Sequence, residues 1–311
     1  MKVLVTGNNG FIGRNLTKKL VDLNYEVYGM ERYTPTYGLP REVKTFYGEL
    51  TNYYSIERII KNLRPEIIIH LAAWSTNDLL AYQLPELITL TNYIGTINLA
   101  ESSREILKED LRKFIYASSS EAYGNQSKFP LTEDMVLNPN SPYSISKASS
   151  ELYLKYLFES YNFPFTILRP FNTYGSMMRR TVIETILTQI LHKKKIIELG
   201  DPNPLRDFLF ITDHVSGYIK CLEEEEKSIG EIFNLATNDP IQIKDLAYLI
   251  KDLTNYTGDF KWNIYPSRPN DIKILWGSYE KAKNILNWKP QIKLKDGIQT
   301  VYRKWKKELR K

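Results

Sequence analysis

One cysteine and three histidines in 311 residues leave little for a disulfide or a metal to use. Cys221 stands alone, so no intrachain disulfide framework is available, a pattern that suits a reducing cytoplasm. The histidines are scattered, and no metal site is expected. The longest apolar runs, such as Ile67-Ile68-Ile69, are far too short to span a bilayer. Met1 leads straight into a strand pattern rather than a signal peptide. These absences predict a soluble, cytoplasmic protein. Excess charge is also small: 42 Lys and Arg against 36 Asp and Glu give a net +6. The basic end, residues 302–311, reads as the exposed face of a terminal helix. With no recognised nucleic-acid module, neither nucleic acid nor membrane is an expected partner.

What is present is a regular alternation. Residues 2–6, 26–31, 67–71, 113–118 and 165–169 read as strands. Helical periodicity runs through 11–23, 53–63, 85–107 and 143–161. Strands alternating with helices of this length require crossover connections, hence a parallel sheet covered on both faces. The predicted fold class is α/β: a Rossmann-like doubly wound sheet with a smaller mixed α/β C-terminal domain. Residues 1–171 form the predicted dinucleotide-binding domain. Residues 172–311 mainly bind substrate, with some segments returning to the first domain.

The glycine cluster Gly7-Asn8-Asn9-Gly10-Phe11-Ile12-Gly13 follows the first strand and opens the first helix. In that context Gly7 permits the tight turn, Gly10 the approach of a pyrophosphate, and Gly13 close helix–strand packing. The anion then rests on the helix N-terminus. Glu31 ends the second strand, where an acid bonds ribose hydroxyls and repels the extra phosphate of NADP, so NAD is expected. Arg32 beside it keeps NADP open. Glu49 and Leu50 are candidate adenine contacts, and Leu71, Ala72 and Ala73 candidates to line the cofactor ribose. Ser118 and Pro170, at two further strand ends, complete the cofactor set.

Tyr143 and Lys147 lie four apart on a helix and so share a face. A cation beside a phenol favours its ionised form, which predicts a base at Tyr143 near neutral pH. Ser119, at the end of a strand, can bond the same substrate oxygen. A glycine turn with this trio predicts hydride transfer between a nicotinamide and an alcohol carbon.

The glycine turn, His70-Leu71-Ala72-Ala73, the Tyr143/Lys147 pair and Leu168-Arg169-Pro170-Phe171-Asn172-Thr173-Tyr174-Gly175 together resemble the extended short-chain dehydrogenase/reductases. More narrowly, they resemble the NAD-dependent nucleotide-sugar epimerases and dehydratases, with an active-site pattern similar to GDP-mannose 4,6-dehydratase. The resemblance runs essentially end to end. It implies a nucleotide-diphosphate sugar oxidised transiently at C4. It further implies that Tyr143 takes the hydroxyl proton, Lys147 lowers the phenol's pKa and holds the nicotinamide ribose, and Ser119 positions the C4 oxygen. Asn172, Arg206 and Arg268 would grip the diphosphate, as the guanidinium fork suits phosphate oxygens. Ser75, Thr76 and Ser120 would touch the sugar. Family members often pair through two helices, here 85–107 and 143–161, so a homodimer is expected; Leu152, Leu154 and Leu157 on the second suit either that interface or the ordinary core.

Glu121 bears on which reaction follows oxidation. Dehydratases of the GDP-mannose type read Thr-Ser-Glu where this chain has Ser119-Ser120-Glu121. Their glutamate removes the C5 proton. Elimination of the C6 hydroxyl is therefore the favoured reaction. The alternative is 4-epimerisation, which needs no such base; a decarboxylase or a 4-reductase ranks behind both.

Overall fold

The protein is described from a computed structural model over residues 1–32, 38–74, 80–176, 181–266 and 269–308. In chain order its strands are β1 (Lys2–Thr6), β2 (Glu26–Glu31), β3 (Lys44–Tyr47), β4 (Ile67–His70), β5 (Lys113–Ala117), β6 (Phe165–Pro170) and β7 (Asn172–Tyr174). There follow β8 (Ile196–Glu198), β9 (Leu205–Phe210), β10 (Glu231–Leu235), β11 (Pro240–Gln242), β12 (Asp259–Lys261) and β13 (Ile274–Leu275). Seven form one parallel sheet in the order β10-β6-β5-β4-β1-β2-β3. The chain reverses direction between β1 and β4, and ligands of open α/β sheets bind beyond the strand ends at such a switch.

Both faces of the sheet are dry. Val3 and Val5 enter the core that also holds Leu16 and Val215, while Leu4 between them enters the other core with Ile56 and Leu99. Ile67 and Ile69 side with Val3, and Ile68 with Leu4. The period-2 alternation of a strand thus feeds two apolar layers.

A second sheet, β11-β9-β13 with β7 beside β9, supplies the other wall of the site. The stretch predicted as one helix over 85–107 is interrupted. Helix Pro85–Ile88 passes into a π turn, Thr89–Ile94, before Gly95–Leu107 resumes α geometry. Such π turns concentrate at functional sites. Here the turn includes Asn92, which bonds both backbone groups of Trp74 and the Ser146 hydroxyl, tying the segment after β4 to the Tyr143 helix.

Candidate active site

The glycine turn has the geometry a dinucleotide needs. Gly7 sits at φ 71°, donates to the Met30 carbonyl at 2.9 Å, and lies against the Ala72 backbone. A Cβ on Gly13 would stand 2.1 Å from the Gly7 carbonyl oxygen, so only glycine allows this helix to start so close to β1. Helix Phe11–Asp22 has no side-chain N-cap bond and no acid in its first turn. Its first amides are therefore a place for an anion. The Asn9 N–H donates to Glu31 Oε1 at 2.5 Å, placing that carboxylate at the turn. Arg32 and Glu49 meet at 3.9 Å beside a smaller cavity shared with Tyr47 and Ser55. The Arg32 guanidinium also lies 5.5 Å from the centre of the Trp74 ring.

Not every cofactor candidate faces a cavity. Leu50 is 6% exposed and belongs to the core, its side chain packed against Gly95. Phe11 packs against the larger core and Gly175. Ile12, Leu71, Ala73, Ser118 and Pro170 do border the main cavity, of about 530 Å³. The Ala72 amide instead donates to the Thr6 hydroxyl at 3.2 Å. His70 is a brace: its ring bridges the hydroxyls of Thr6, at 2.7 Å, and Thr96, at 3.0 Å. Burial holds it neutral, with a pKa pushed down to about 3.

Ser119, Ser120, Glu121, Tyr143 and Lys147 line the same main cavity. Helix Pro142–Tyr161 starts at a defined residue because Ser141 caps the Ser144 amide at 3.1 Å, Ser144 answers by accepting from the Ser141 amide at 2.9 Å, and Pro142 takes the first position. Tyr143 is thereby fixed in the first turn. Strand β5 ends at Ala117, and Ser119 caps the short turn that follows by accepting from the Glu121 amide at 3.1 Å.

The electrostatics differ from the expectation. Tyr143 is raised above the ordinary phenol value, first by burial and then by the negative charge of Glu121; a hydrogen bond from Ser119 works the other way. Lys147 does not direct its ammonium at the phenol. Nζ donates to the Ala117 carbonyl at 2.6 Å and stands 5.7 Å from the centre of the Tyr143 ring. Burial lowers Lys147 to about 7, with the Glu151 carboxylate opposing the shift. The spacing places both groups on one face as predicted, but the phenol is held neutral.

Across the cavity, Asn172 donates to the Asp207 carbonyl at 3.1 Å, and Arg206 pairs with Asp271 at 3.6 Å. Ser75, Thr76 and Arg268 lie outside the described residues. Sequence reasoning missed other lining residues: Tyr82, Asn140, Thr181, Tyr265 and Asp271. It also missed Glu151, although its position four beyond Lys147 put it on the same helical stripe. No cluster of His, Cys, Asp and Glu able to hold a metal exists among the described residues, and no described helix is long and apolar enough to cross a membrane.

The sequence pattern of the GDP-mannose 4,6 dehydratase family matches residues 4–301. The chain belongs to this family. It is an enzyme of the extended short-chain dehydrogenase/reductases that epimerise or dehydrate nucleotide sugars. Human dTDP-D-glucose 4,6-dehydratase is 29% identical, over 99% of this chain and 90% of its own. The UDP-glucose 4-epimerase of Mycolicibacterium smegmatis is 26% identical, over 96% of each chain. Among solved structures, the UDP-glucose 4-epimerase of Thermotoga maritima with UDP-glucose superposes with a TM-score of 0.90 at 30% identity, covering 99% of this chain and all of its own. Both reaction types thus occur among its relatives.

Proposed function

We propose that this enzyme is a nucleotide-sugar 4,6-dehydratase using NAD. The observation that carries the reading is Glu121, which shares the main cavity with Ser119 and Tyr143 and whose charge is felt at the phenol. The turn at Gly7–Gly13 suits NAD's pyrophosphate. Glu31 suits its ribose, and Arg32 is drawn toward the Glu49 carboxylate, which favours NAD over NADP. Asn172 and Arg206 hold the nucleotide diphosphate, with Arg268 as a third grip. Residues 1–171 chiefly bind the dinucleotide and 172–311 the sugar nucleotide.

In this reading Ser119 orients the C4 hydroxyl and Tyr143 takes its proton. NAD, when bound, would supply the hydride acceptor at C4 and the hydride source at C6. The C4 ketone makes the C5–H acidic; Glu121 removes that proton as the C6 hydroxyl leaves, the proton that Tyr143 took at C4 completes the departing water, and Glu121 returns its own proton to C5 as C6 is reduced. The net change is loss of one water. In an epimerase the same ketone would instead turn over in the site, and Glu121 would have no proton to move.

Two faces of helix Pro142–Tyr161 favour a homodimer. Leu154 and Leu157 are fully buried in the chain's own core, but Leu152 is 64% exposed and Ile145 51%. Unpaired apolar side chains in a row suit a second copy.

The test is mass spectrometry of sugar products after incubation with NAD and GDP-, UDP-, dTDP- or CDP-sugars. A product lighter by one water is expected. Glu121→Gln should slow it by about 10²–10⁴ while C4 oxidation, read as NADH absorbance, survives. A product of unchanged mass but altered mobility would instead mark a 4-epimerase.

A further inference from the structure

The helical stripe that carries Tyr143 and Lys147 has a third charged member. Glu151 is 1% exposed and bonded on every side. Arg169 on β6 donates to it through Nη2 at 2.6 Å and Nε at 3.0 Å, and the Ser118 hydroxyl donates to the same carboxylate. Arg169 is equally buried, and its other arm donates to the Tyr123 hydroxyl at 2.8 Å. Tyr123 in turn donates to Asn234 on β10 at 2.8 Å. A buried ion pair is seldom a net source of stability, since desolvation offsets the attraction. Its place beside the site therefore asks for another reason.

We infer that Glu151 is a positioning residue that keeps Lys147 charged, with Arg169 and Ser118 fixing where its carboxylate sits. Four residues C-terminal to Lys147 on one helix, it lies beside the lysine by geometry alone. Apart from Arg169, which is paired with Glu151, the titratable groups packed on Lys147 from β4, β5 and its own helix are uncharged near neutrality. His70 on β4 is held neutral by burial, Tyr116 on β5 lies 4.8 Å away under Nζ with its phenol raised, and Tyr143 is raised likewise. Glu121 acts on Tyr143 from the turn after β5. Burial drives Lys147 toward its neutral form, and Glu151 is the charge that opposes it. The Ser118 bond has a second effect. It ties the carboxylate to the residue preceding Ser119, so one group sets both the lysine's charge and the end of β5. The link to turnover rests on the proposed role of Tyr143 and Lys147; the charge effect itself does not.

The experiment is an NMR titration of the nucleotide-free protein labelled with 13C at lysine Cε, the Lys147 signal being identified by its absence in Lys147→Met. Glu151→Gln removes the charge that opposes burial at Lys147 and leaves Arg169 without its partner, and the lysine midpoint should fall by about one pH unit or more. Arg169→Gln exposes Lys147 to the full carboxylate charge, and the midpoint should rise. Opposite signs identify a field. Simple loosening would admit water and raise both midpoints, and a purely structural role would move neither; either result overturns the inference. Should Glu151→Gln not fold, an unchanged or lowered midpoint in Arg169→Gln overturns it as well. In turnover, the alkaline limb of Glu151→Gln should move to lower pH in step with the NMR midpoint. An NMR shift with an unmoved limb would count against the functional role of Lys147 and leave the effect of Glu151 on its charge standing.

Discussion

His214 provides a quantitative test of the burial argument. Its side chain is fully enclosed, with Nδ1 2.8 Å from the Thr173 hydroxyl and the ring stacked on Tyr218 at 5.5 Å and 25°. Burial pushes its pKa down from 6.5 to about 3. In the unfolded chain the ordinary value returns. Below pH 6.5 the unfolded state therefore binds a proton that the folded state refuses. The contribution of a neutral His214 is intact above 6.5 and lost as pH falls toward 3. At pH 5 the loss amounts to about 2 kcal/mol, against about 0.2 kcal/mol at pH 7. The perturbation is His214→Phe, which keeps a flat ring against Tyr218 and cannot take a proton. Urea unfolding of both nucleotide-free proteins at pH 7 and pH 5 gives four free energies. Losing the Thr173 bond costs the same at both pH values and cancels in the double difference. Asp207, raised by burial to about 6, acts in the opposite sense, adding stability in acid that is lost as pH rises through 6, but it is common to both proteins. Wild type should lose about 2 kcal/mol more than the variant on going to pH 5. An equal loss in both would mean that the folded protein protonates His214 freely, and the reasoning would fail.

Other outcomes follow from single contacts. Gly13→Ala places a Cβ 2.1 Å from the Gly7 oxygen, so the turn must open. Overpacking of this kind costs about 1–3 kcal/mol, and NAD affinity, read by quenching of protein fluorescence, should fall at least about tenfold with the displaced amides. Tyr143→Phe should lower turnover by about 10²–10⁴ while isothermal titration shows nucleotide-sugar affinity nearly unchanged; retained turnover would remove Tyr143 from the chemistry. Leu152→Glu, at an exposed position of helix Pro142–Tyr161, should convert the proposed dimer to a monomer on size-exclusion chromatography with light scattering, and an unaltered mass would overturn this interface.

Five strands of the first sheet, β1, β2, β4, β5 and β6, were legible because they are short apolar runs between long periodic helices, and each pattern repeats within a few residues. The glycine turn and the Tyr143/Lys147 face were legible for the same reason: their geometry is local. What escaped was non-local. Strand β10 joins the first sheet beside β6 only after the chain has built β7, β8 and β9, and nothing in Glu231–Leu235 alone announces its partner. The π turn at Thr89–Ile94 lies within an unbroken helical pattern, and the bonds of Asn92 to Trp74 and Ser146 give it a role only in the folded chain. Arg169 was visible in its motif, but its partner Glu151 was not, since an ion pair between a helix and a strand leaves no periodic trace. The ammonium of Lys147 was misdirected for a related reason. Spacing fixes the face of a helix, while the open carbonyl at the end of β5 decides where the side chain points.

The two walls of the cavity are held by different means, and the contrast explains the placement of Arg206. On β9 successive side chains point to opposite faces. Asp207 turns inward, where its carboxylate accepts from the Thr237 amide at 2.9 Å, the Thr237 hydroxyl at 2.5 Å and the Asn238 amide at 2.9 Å. Those donors follow β10, a strand of the first sheet. With Asp207 committed to that side, its neighbours Arg206 and Phe208 must face the other way, and both line the main cavity. The pairing of β7 with β9, Asn172 opposite Phe208, then brings Asn172 to the same wall. A carboxylate turned away from the cavity thus aims a guanidinium into it. It is bonded to the loop after β10, while the network of Glu151, Arg169, Tyr123 and Asn234 reaches β10 itself from the Tyr143 side. The wall that carries Tyr143 and the wall that carries Arg206 are consequently braced against one strand, so a change in either brace alters the distance between them.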